Sequence, residues 1–352
     1  MQIGIMGLAK AGKTTLWSAL TRLSPGQGAS SGGGEPRVGS VKVPDERLDR
    51  LAALFRPAKV TPATVTYTDA GGGPGSEAGG RGLSPAFIES MRLMDALIIV
   101  IGPMRSGDAP RQPVLDYRSV AADLLVSDLA MIERKIERLG KEIPKGRHPE
   151  YARQMALMER CRGHLEQEMP LRGLELTEGE AKEVKGFNFL SIKPVLVVLN
   201  HAEGVDPAPA AEPLARAADA TVVALCGSIE MDLARMPVED AEEFLQDLGI
   251  DEPALEKMIR LSYELLGRIS FFTVGEDECR AWTVPSGLKA PEAAGTIHTD
   301  LQHGFIRAEV IAWDRLLEAG GYGAARARGL VRLEGRDYVV QDGDVMDVKF
   351  RG

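Results

Sequence analysis

Short apolar runs alternate with stretches of helical spacing through the first two thirds of the chain. The runs lie at residues 2–6, 65–68, 96–101, 195–199 and 221–225. Several are unbroken Val, Ile and Leu, as in strands covered on both faces of a parallel sheet. Ligands on such sheets sit beyond the C-terminal strand ends, so chemistry is expected just after each run. Between the third and fourth runs the pattern changes. Leu125, Leu129, Ile132, Ile136 and Leu139 are spaced four, three, four, three, a heptad stripe. Pro144, Gly146 and Pro149 interrupt it, and Tyr151, Met155, Met158, Leu165 and Met169 resume it. This predicts an antiparallel helical hairpin whose stripe is an internal seam rather than a partner site. After about residue 268 short β-like runs appear at 269–274, 280–284, 307–312, 338–340 and 345–350, with a turn signal at Asp342-Gly343 and a helix candidate at 293–302. They predict a small separate α+β domain. The expected organisation is a sheet domain at 1–116 and 183–267, a helical insertion at 117–182, and a C-terminal domain at 268–352.

Composition narrows the class. The 352 residues, 44% apolar and 26% charged, are enough for two or three ordinary globular domains. No apolar run approaches the ~18 residues of a membrane span. The start, Met1-Gln2-Ile3-Gly4, has no basic region and predicts no signal peptide. Cys161, Cys226 and Cys279 are odd in number and far apart, which argues against a disulfide framework or zinc site and for a reducing cytoplasm. The formal net charge of −9 argues against a general nucleic-acid coat. The charge is uneven, however: residues 133–162 hold 9 Lys/Arg against 5 Asp/Glu, while 201–260 hold 4 against 14. The basic segment suits docking onto phosphate, or it is a solvated helix face laced with i,i+4 pairs.

The chemistry starts at the first run. Gly7 to Thr14 read Gly-Leu-Ala-Lys-Ala-Gly-Lys-Thr, a G-x4-G-K-T pattern between an expected strand and an expected helix. Such a turn aims backbone N–H groups and a helix N-terminus at one point, a cradle for di- and triphosphates. Gly7, Lys10, Ala11, Gly12, Lys13, Thr14 and Thr15 would line it, with Lys13 on the β/γ-phosphates and Thr14 on Mg2+. Asp69-Ala70-Gly71-Gly72 ends the second run as D-x-x-G. There Asp69 would hold Mg2+ through water and the Gly72 N–H would sense the terminal phosphate. The catalytic set expected from these motifs is Lys13, Asp69 and Gly72, and the metal set is Thr14 and Asp69. Asn200-His201-Ala202-Glu203 ends the fourth run, where a GTPase usually has N-K-x-D. Glu203 is one methylene longer than the Asp that grips guanine, which predicts weakened guanine preference and ATP tolerated or preferred. The alternative is an Asn/Glu pair that caps the next loop. Cys226 and Gly227, after the fifth run, lie where a base-backing loop would be. Gly-rich stretches at 27–34 and 71–82 cannot hold a core and are either plain linkers or nucleotide-responsive loops.

These residues together resemble the YchF/Obg-like ATPase family of translation-factor-related P-loop NTPases. The resemblance extends over nearly the whole chain: the P-loop, Glu35-Pro36 followed by Val43-Pro44-Asp45-Glu46-Arg47-Leu48-Asp49, the N-x-x-E at Asn200 and the heptad insertion. It is most specific near the end, in Arg280-Ala281-Trp282-Thr283, Ala293-Ala294-Gly295-Thr296-Ile297-His298-Thr299-Asp300, Gly304-Phe305-Ile306-Arg307-Ala308-Glu309 and Tyr338-Val339-Val340-Gln341-Asp342-Gly343-Asp344-Val345. The resemblance implies an α/β P-loop NTPase with a coiled-coil insertion, a ubiquitin-like β-grasp (TGS) domain, Mg2+-dependent hydrolysis, cytoplasmic location and ribosome association. Departures cluster in the switches. Ala9-Lys10-Ala11 replaces the family's Pro-Asn-Val, Gly32-Gly33-Gly34 stands where it has aromatic and Thr residues, and Gly73-Pro74-Gly75-Ser76-Glu77 follows the D-x-x-G. The loop after residues 96–101 lacks the His that family members can use in catalysis. Two functions follow: a slow, monomeric ATPase or GTPase switch with Mg2+ and K+ as candidate cofactors and ribosome or RNA as partner, or a nucleotide-sensing adaptor without turnover. A P-loop metabolic kinase explains neither the N-x-x-E nor the C-terminal module. His298 and Trp282 are read as packing or capping residues, since no Asp/Ser constellation accompanies them.

Overall fold

In a computed structural model of the chain, residues 1–22, 36–69, 84–145, 150–247, 250 and 252–351 are described. In chain order the elements are β1 (Gln2–Gly7), α1 (Lys13–Thr21), β2 (Arg37–Lys42), α2 (Glu46–Phe55), β3 (Lys59–Thr61), β4 (Thr64–Asp69), α3 (Pro85–Arg92), β5 (Ala96–Met104), α4 (Gln112–Glu142), α5 (Glu150–Glu166), α6 (Glu178–Lys185), β6 (Val195–His201), α7 (Ala208–Ala218), β7 (Val222–Leu225), α8 (Gly227–Leu233), α9 (Val238–Asp247) and α10 (Ala254–Leu265). Then follow β8 (Arg268–Thr273), β9 (Glu278–Pro285), α11 (Ala290–Ile297), α12 (Thr299–His303), β10 (Phe305–Ala312), α13 (Trp313–Ala319), α14 (Tyr322–Ala327), β11 (Arg332–Glu334) and β12 (Asp344–Phe350). The chain divides into Met1–Ser40 with Thr66–Lys257, and Val41–Val65 with Met258–Gly352.

The first unit is built on a six-stranded sheet in the order β2-β4-β1-β5-β6-β7. Its β4-β1-β5-β6-β7 pairs are all parallel. The unbroken apolar runs are what double-sided cover requires: Ile98, Val197 and Val198 are inaccessible to solvent. Parallel register brings the functional strand ends to one edge. Asp69 lies opposite Ile5, Gly7 opposite Val100, and Leu225 opposite Asn200.

Helix α4 has two roles along its 31 residues. Tyr117, Val120 and Leu124 pack into the cluster formed by β5 and β6. Ile132 and Leu139 pack instead against Leu157, Met158, Cys161 and Leu165 of α5. The expected heptad seam therefore forms, with Leu125, Leu129 and Ile136 at its margin. Met169 departs from the expectation: α5 ends at Glu166, and Met169 is 40% exposed. A carboxylate marks the hand-over between the two halves. Asp128, fully buried, accepts hydrogen bonds from the Arg92 guanidinium (2.8 Å), the Leu190 and Ser191 backbone N–H groups (3.0 and 2.7 Å) and the Ser191 hydroxyl (2.8 Å). Three basic side chains of this segment are in ion pairs: Lys141 with Glu137, Arg162 with Glu159 and Glu166, and Arg160 with Glu180. Gly146, Arg147 and Pro149 lie outside the described residues.

The second unit has the sheet order β11-β10-β12-β8-β9-β3. The parallel pair β8 and β12 is flanked by antiparallel β9 and β10, the β-grasp arrangement. Ala290, Ala293 and Ala294 of α11 close onto Phe271, Phe305 and Met346. The sequence expectation of one helix at 293–302 is corrected to two helices. His298 separates them, and its Nδ1 accepts the Asp300 N–H at 3.2 Å, a capping role as expected. Trp282 packs on Phe271 and donates to Thr273 Oγ1 at 2.9 Å. Residues 338–340 form no strand; Val339 makes one antiparallel bridge to Lys289.

Residues 41–65 fold with this second unit, although in sequence they run from the end of β2 to the start of β4, two strands of the first sheet. β3 adds to the edge beside β9, with Lys59 opposite Glu278. Asp45 caps α2, and Arg47 reaches Asp342 at 2.6 Å with its guanidinium 5.2 Å from the Phe272 ring centre. Among the described residues no helix is long and apolar enough to cross a membrane.

Candidate functional site

The loop between β1 and α1 is shaped by residues that a side chain would exclude. Gly7 has φ +148°, and a Cβ there would lie 2.2 Å from the Val100 carbonyl oxygen. Gly12, the N-cap of α1, has φ +100°, and its Cβ would meet Asn200 Nδ2 at 2.4 Å. Both positions need glycine for conformation and for space. The backbone is thereby folded tightly over the N-terminus of α1, whose free N–H groups and partial positive charge suit a phosphate.

Lys13 is bent back over this loop. Its ammonium donates to the Gly7 carbonyl at 3.1 Å and the Leu8 carbonyl at 2.7 Å. Burial lowers its pKa, and the nearby Asp69 carboxylate opposes that shift. Thr14 Oγ1 donates to Asp69 Oδ2 at 3.2 Å, and Asp69 is 1% exposed. A hydroxyl and a carboxylate this close are hard oxygen donors. They fit Mg2+, which takes one or two protein ligands and fills its octahedron with water and phosphate oxygens. Arg37, at the start of β2, brings Nη1 to 3.9 Å from the same Asp69 oxygen.

Asn200 ties two loops together. Its Nδ2 donates to the Ala11 carbonyl at 3.0 Å, and its Oδ1 accepts the Gly227 N–H at 3.1 Å. The alternative left open by the sequence, an Asn/Glu pair that caps the next loop, does not describe this arrangement: Asn200 makes both bonds without Glu203. Thr15 of α1 faces Gly227, where a Cβ would stand 3.5 Å from Thr15 Cγ2. Cys226 is buried, with Sγ 3.1 Å from Ser228 Oγ. The structure thus brings together Gly7, Ala11, Gly12, Lys13, Thr14, Thr15, Asp69, Asn200, Cys226 and Gly227. Lys10, at φ +65°, and Glu203, in the turn after β6, are exposed at the same edge. Gly72, Gly71 and Gly73, with both Gly-rich stretches, lie outside the described residues. Arg37 was not singled out by motif reasoning. A lone Arg after Glu35-Pro36 has no spacing that reveals a contact 32 positions away.

Comparison with known proteins identifies the family. The family model YchF-GTPase_C, described as a protein of unknown function (DUF933), matches residues 268–351. The ribosome-binding ATPase YchF of Bacillus subtilis is 36% identical, the alignment covering 99% of this chain and 98% of the relative. The protein of the same name from Pasteurella multocida is 38% identical with the same coverage. The solved YchF GTPase of Schizosaccharomyces pombe is 27% identical, superimposes with a TM-score of 0.85, and is covered to 97% by 99% of this chain. Full-length alignment at these identities, together with a fold shared from end to end, shows that the chain belongs to the YchF family.

Proposed function

We propose that this chain is a Mg2+-dependent purine nucleoside triphosphatase that uses ATP, tolerates GTP, and works slowly as a ribosome-associated switch in the cytoplasm. The observation that carries this reading is the loop of Gly7 to Thr14, closed over a helix N-terminus and pinned by Asn200. Relatives of the same length are named ribosome-binding ATPases, which supports the ribosome as partner. Lys13 would exchange its carbonyl partners for β- and γ-phosphate oxygens. Thr14 and Asp69 would hold Mg2+, whose part is to neutralise charge on the phosphates. Chemistry of this kind needs positioning and charge compensation more than covalent participation.

Phosphate release from Mg-ATP by the purified chain tests the proposal, measured alone, with K+, and with ribosomes. Release no faster than in buffer under all three conditions leaves the second reading, a nucleotide-sensing adaptor without turnover. The Gly-rich sequences at 27–34 and 71–82 favour that second reading, since Gly73 stands after the D-x-x-G where a Gln could have oriented water.

Base choice is a separate expectation. Glu203 is exposed and makes no hydrogen bond among the described residues, so its longer carboxylate is available to the base edge. Misplacing a two-bond fork is expected to cost guanine at least about tenfold in affinity. Competition binding should therefore favour ATP, and Glu203→Asp should move the preference toward GTP. A strong GTP preference in the unaltered chain would refute this account of Glu203.

The tip of the helical hairpin is proposed as the phosphate-docking surface. Neutralising Lys141, Lys145 and Arg147 together is expected to weaken ribosome binding and to reduce its log–log salt slope by about two to three. Co-sedimentation across a salt series reads this directly. An unchanged slope assigns the segment to ordinary solvated surface.

A further inference from the structure

Arg37 is a charged side chain that no motif accounts for, and its surroundings in the first unit are unusual. It opens β2 at the same sheet edge as the ends of β1 and β4. Its side chain is 26% exposed, but Nη1 itself is buried and has no hydrogen-bond partner among the described residues. The nearest carboxylate oxygen, Asp69 Oδ2, is 3.9 Å away, beyond hydrogen-bonding distance. That same oxygen already accepts the Thr14 hydroxyl. Lys13, a second cation here, is occupied by two loop carbonyls.

A buried guanidinium N–H with no acceptor has lost its water and gained nothing in return. Such groups persist where something that is not part of the chain completes them. At this position an anionic partner suits the guanidinium best. Thr14 and Asp69 suit a divalent cation, and a guanidinium beside a cation site is tolerated only if negative charge stands between the two. Arginine's planar fork matches phosphate oxygens. Lys13 and the loop backbone would cover the phosphates from the side of α1, whereas Arg37 would approach from the side of Asp69.

Resting on the nucleotide reading above, we propose that Arg37 binds the terminal phosphoryl group and so distinguishes a nucleoside triphosphate from a diphosphate. It would supply from β2 a contact to the triphosphate that the residues Gly32-Gly33-Gly34 lack side chains to make. Arg37 then belongs to the switch itself. Its guanidinium is drawn to the terminal phosphate when triphosphate is bound and returns toward Asp69 when only diphosphate remains.

The test is calorimetry in Mg2+ with a non-hydrolysable ATP analogue and with ADP, on the full-length chain and its Arg37→Ala, Arg37→Gln and Arg37→Lys variants. Thermal melts identify any variant that fails to fold. Arg37→Ala and Arg37→Gln are expected to weaken the analogue at least tenfold while ADP stays within twofold, and Arg37→Lys to recover part of the loss. Equal weakening of both nucleotides, no change in either, or tighter binding of the analogue would overturn the assignment. Tighter binding would mean that Arg37 merely competes with Mg2+ for Asp69. If the unaltered chain binds neither nucleotide, the nucleotide reading itself fails and takes this one with it; binding by the unaltered chain that is indifferent to Arg37 removes only the Arg37 assignment.

Discussion

Asp128→Ala is expected to destabilise the first unit by about 3–5 kcal/mol, the cost of removing one partner from a buried ion pair. The loss is large because Asp128 serves several donors at once. Arg92 would keep its Ser127 hydroxyl (2.7 Å) and Asn188 carbonyl (3.1 Å) contacts but lose its buried counter-charge. The Leu190 and Ser191 N–H groups, which turn the chain into β6, would lose their acceptor. Lys193, bonded to the Arg92 and Met94 carbonyls, fixes the same corner from the other side. The corner joins α3, which follows the second Gly-rich stretch, to the point on α4 where sheet packing gives way to the hairpin seam. Urea unfolding followed by a probe in the first unit measures the change. Pairing Asp128→Leu with Arg92→Met is expected to recover much of the loss, since an apolar pair leaves no charge stranded. A single-variant loss below about 1 kcal/mol would show that water or rearrangement satisfies Arg92, and would refute a structural role of this size.

Lys13→Ala is expected to reduce Mg-ATP affinity by about 10- to 100-fold and to bring phosphate release down to background. The ammonium makes charge-assisted bonds worth about 1.5–3 kcal/mol each, and about 1.4 kcal/mol is a factor of ten. Truncation also frees the Gly7 and Leu8 carbonyls, which water at the open side of the loop can serve, so the fold should survive. Lys13→Arg separates charge from shape: it retains the charge but replaces a compact ammonium by a planar fork, and is expected to recover only part of the affinity. Calorimetry gives the affinity and phosphate release the rate. An affinity within twofold of the unaltered chain would remove Lys13 from the site. If affinity falls but no release was measurable beforehand, the adaptor reading stands.

The phosphate loop was legible in the sequence because its parts are contiguous. Gly7, Gly12, Lys13 and Thr14 are separated by a few bonds, and a strand–turn–helix with those residues has few ways to fold. The parallel strands were legible for a similar reason: runs such as those in β5 and β6 repay burial on both faces. Contacts between distant segments left no such trace. Asp128 falls four residues after Leu124 and four before Ile132, on the buried side of α4, so periodicity shows only a polar interruption there. That it meets Arg92 and Ser191 follows from topology. Short elements were also missed. β3 has three residues, too few for a period, and forms because β9 offers an open edge.

The local order of apolar, small and charged residues was therefore enough to determine the sheet, the hairpin and the place where phosphate chemistry is expected. Local order acts through backbone conformation and desolvation over one or two turns, and both can be read from neighbours in the chain. Tertiary structure alone decided that residues 41–65 fold with the C-terminal sheet, that Asn200 clamps the loop to Gly227, and that Arg37 points an unpartnered N–H toward Asp69. Those outcomes depend on which buried charge or open strand edge is met from far along the chain. Only the assembled fold brings such partners together.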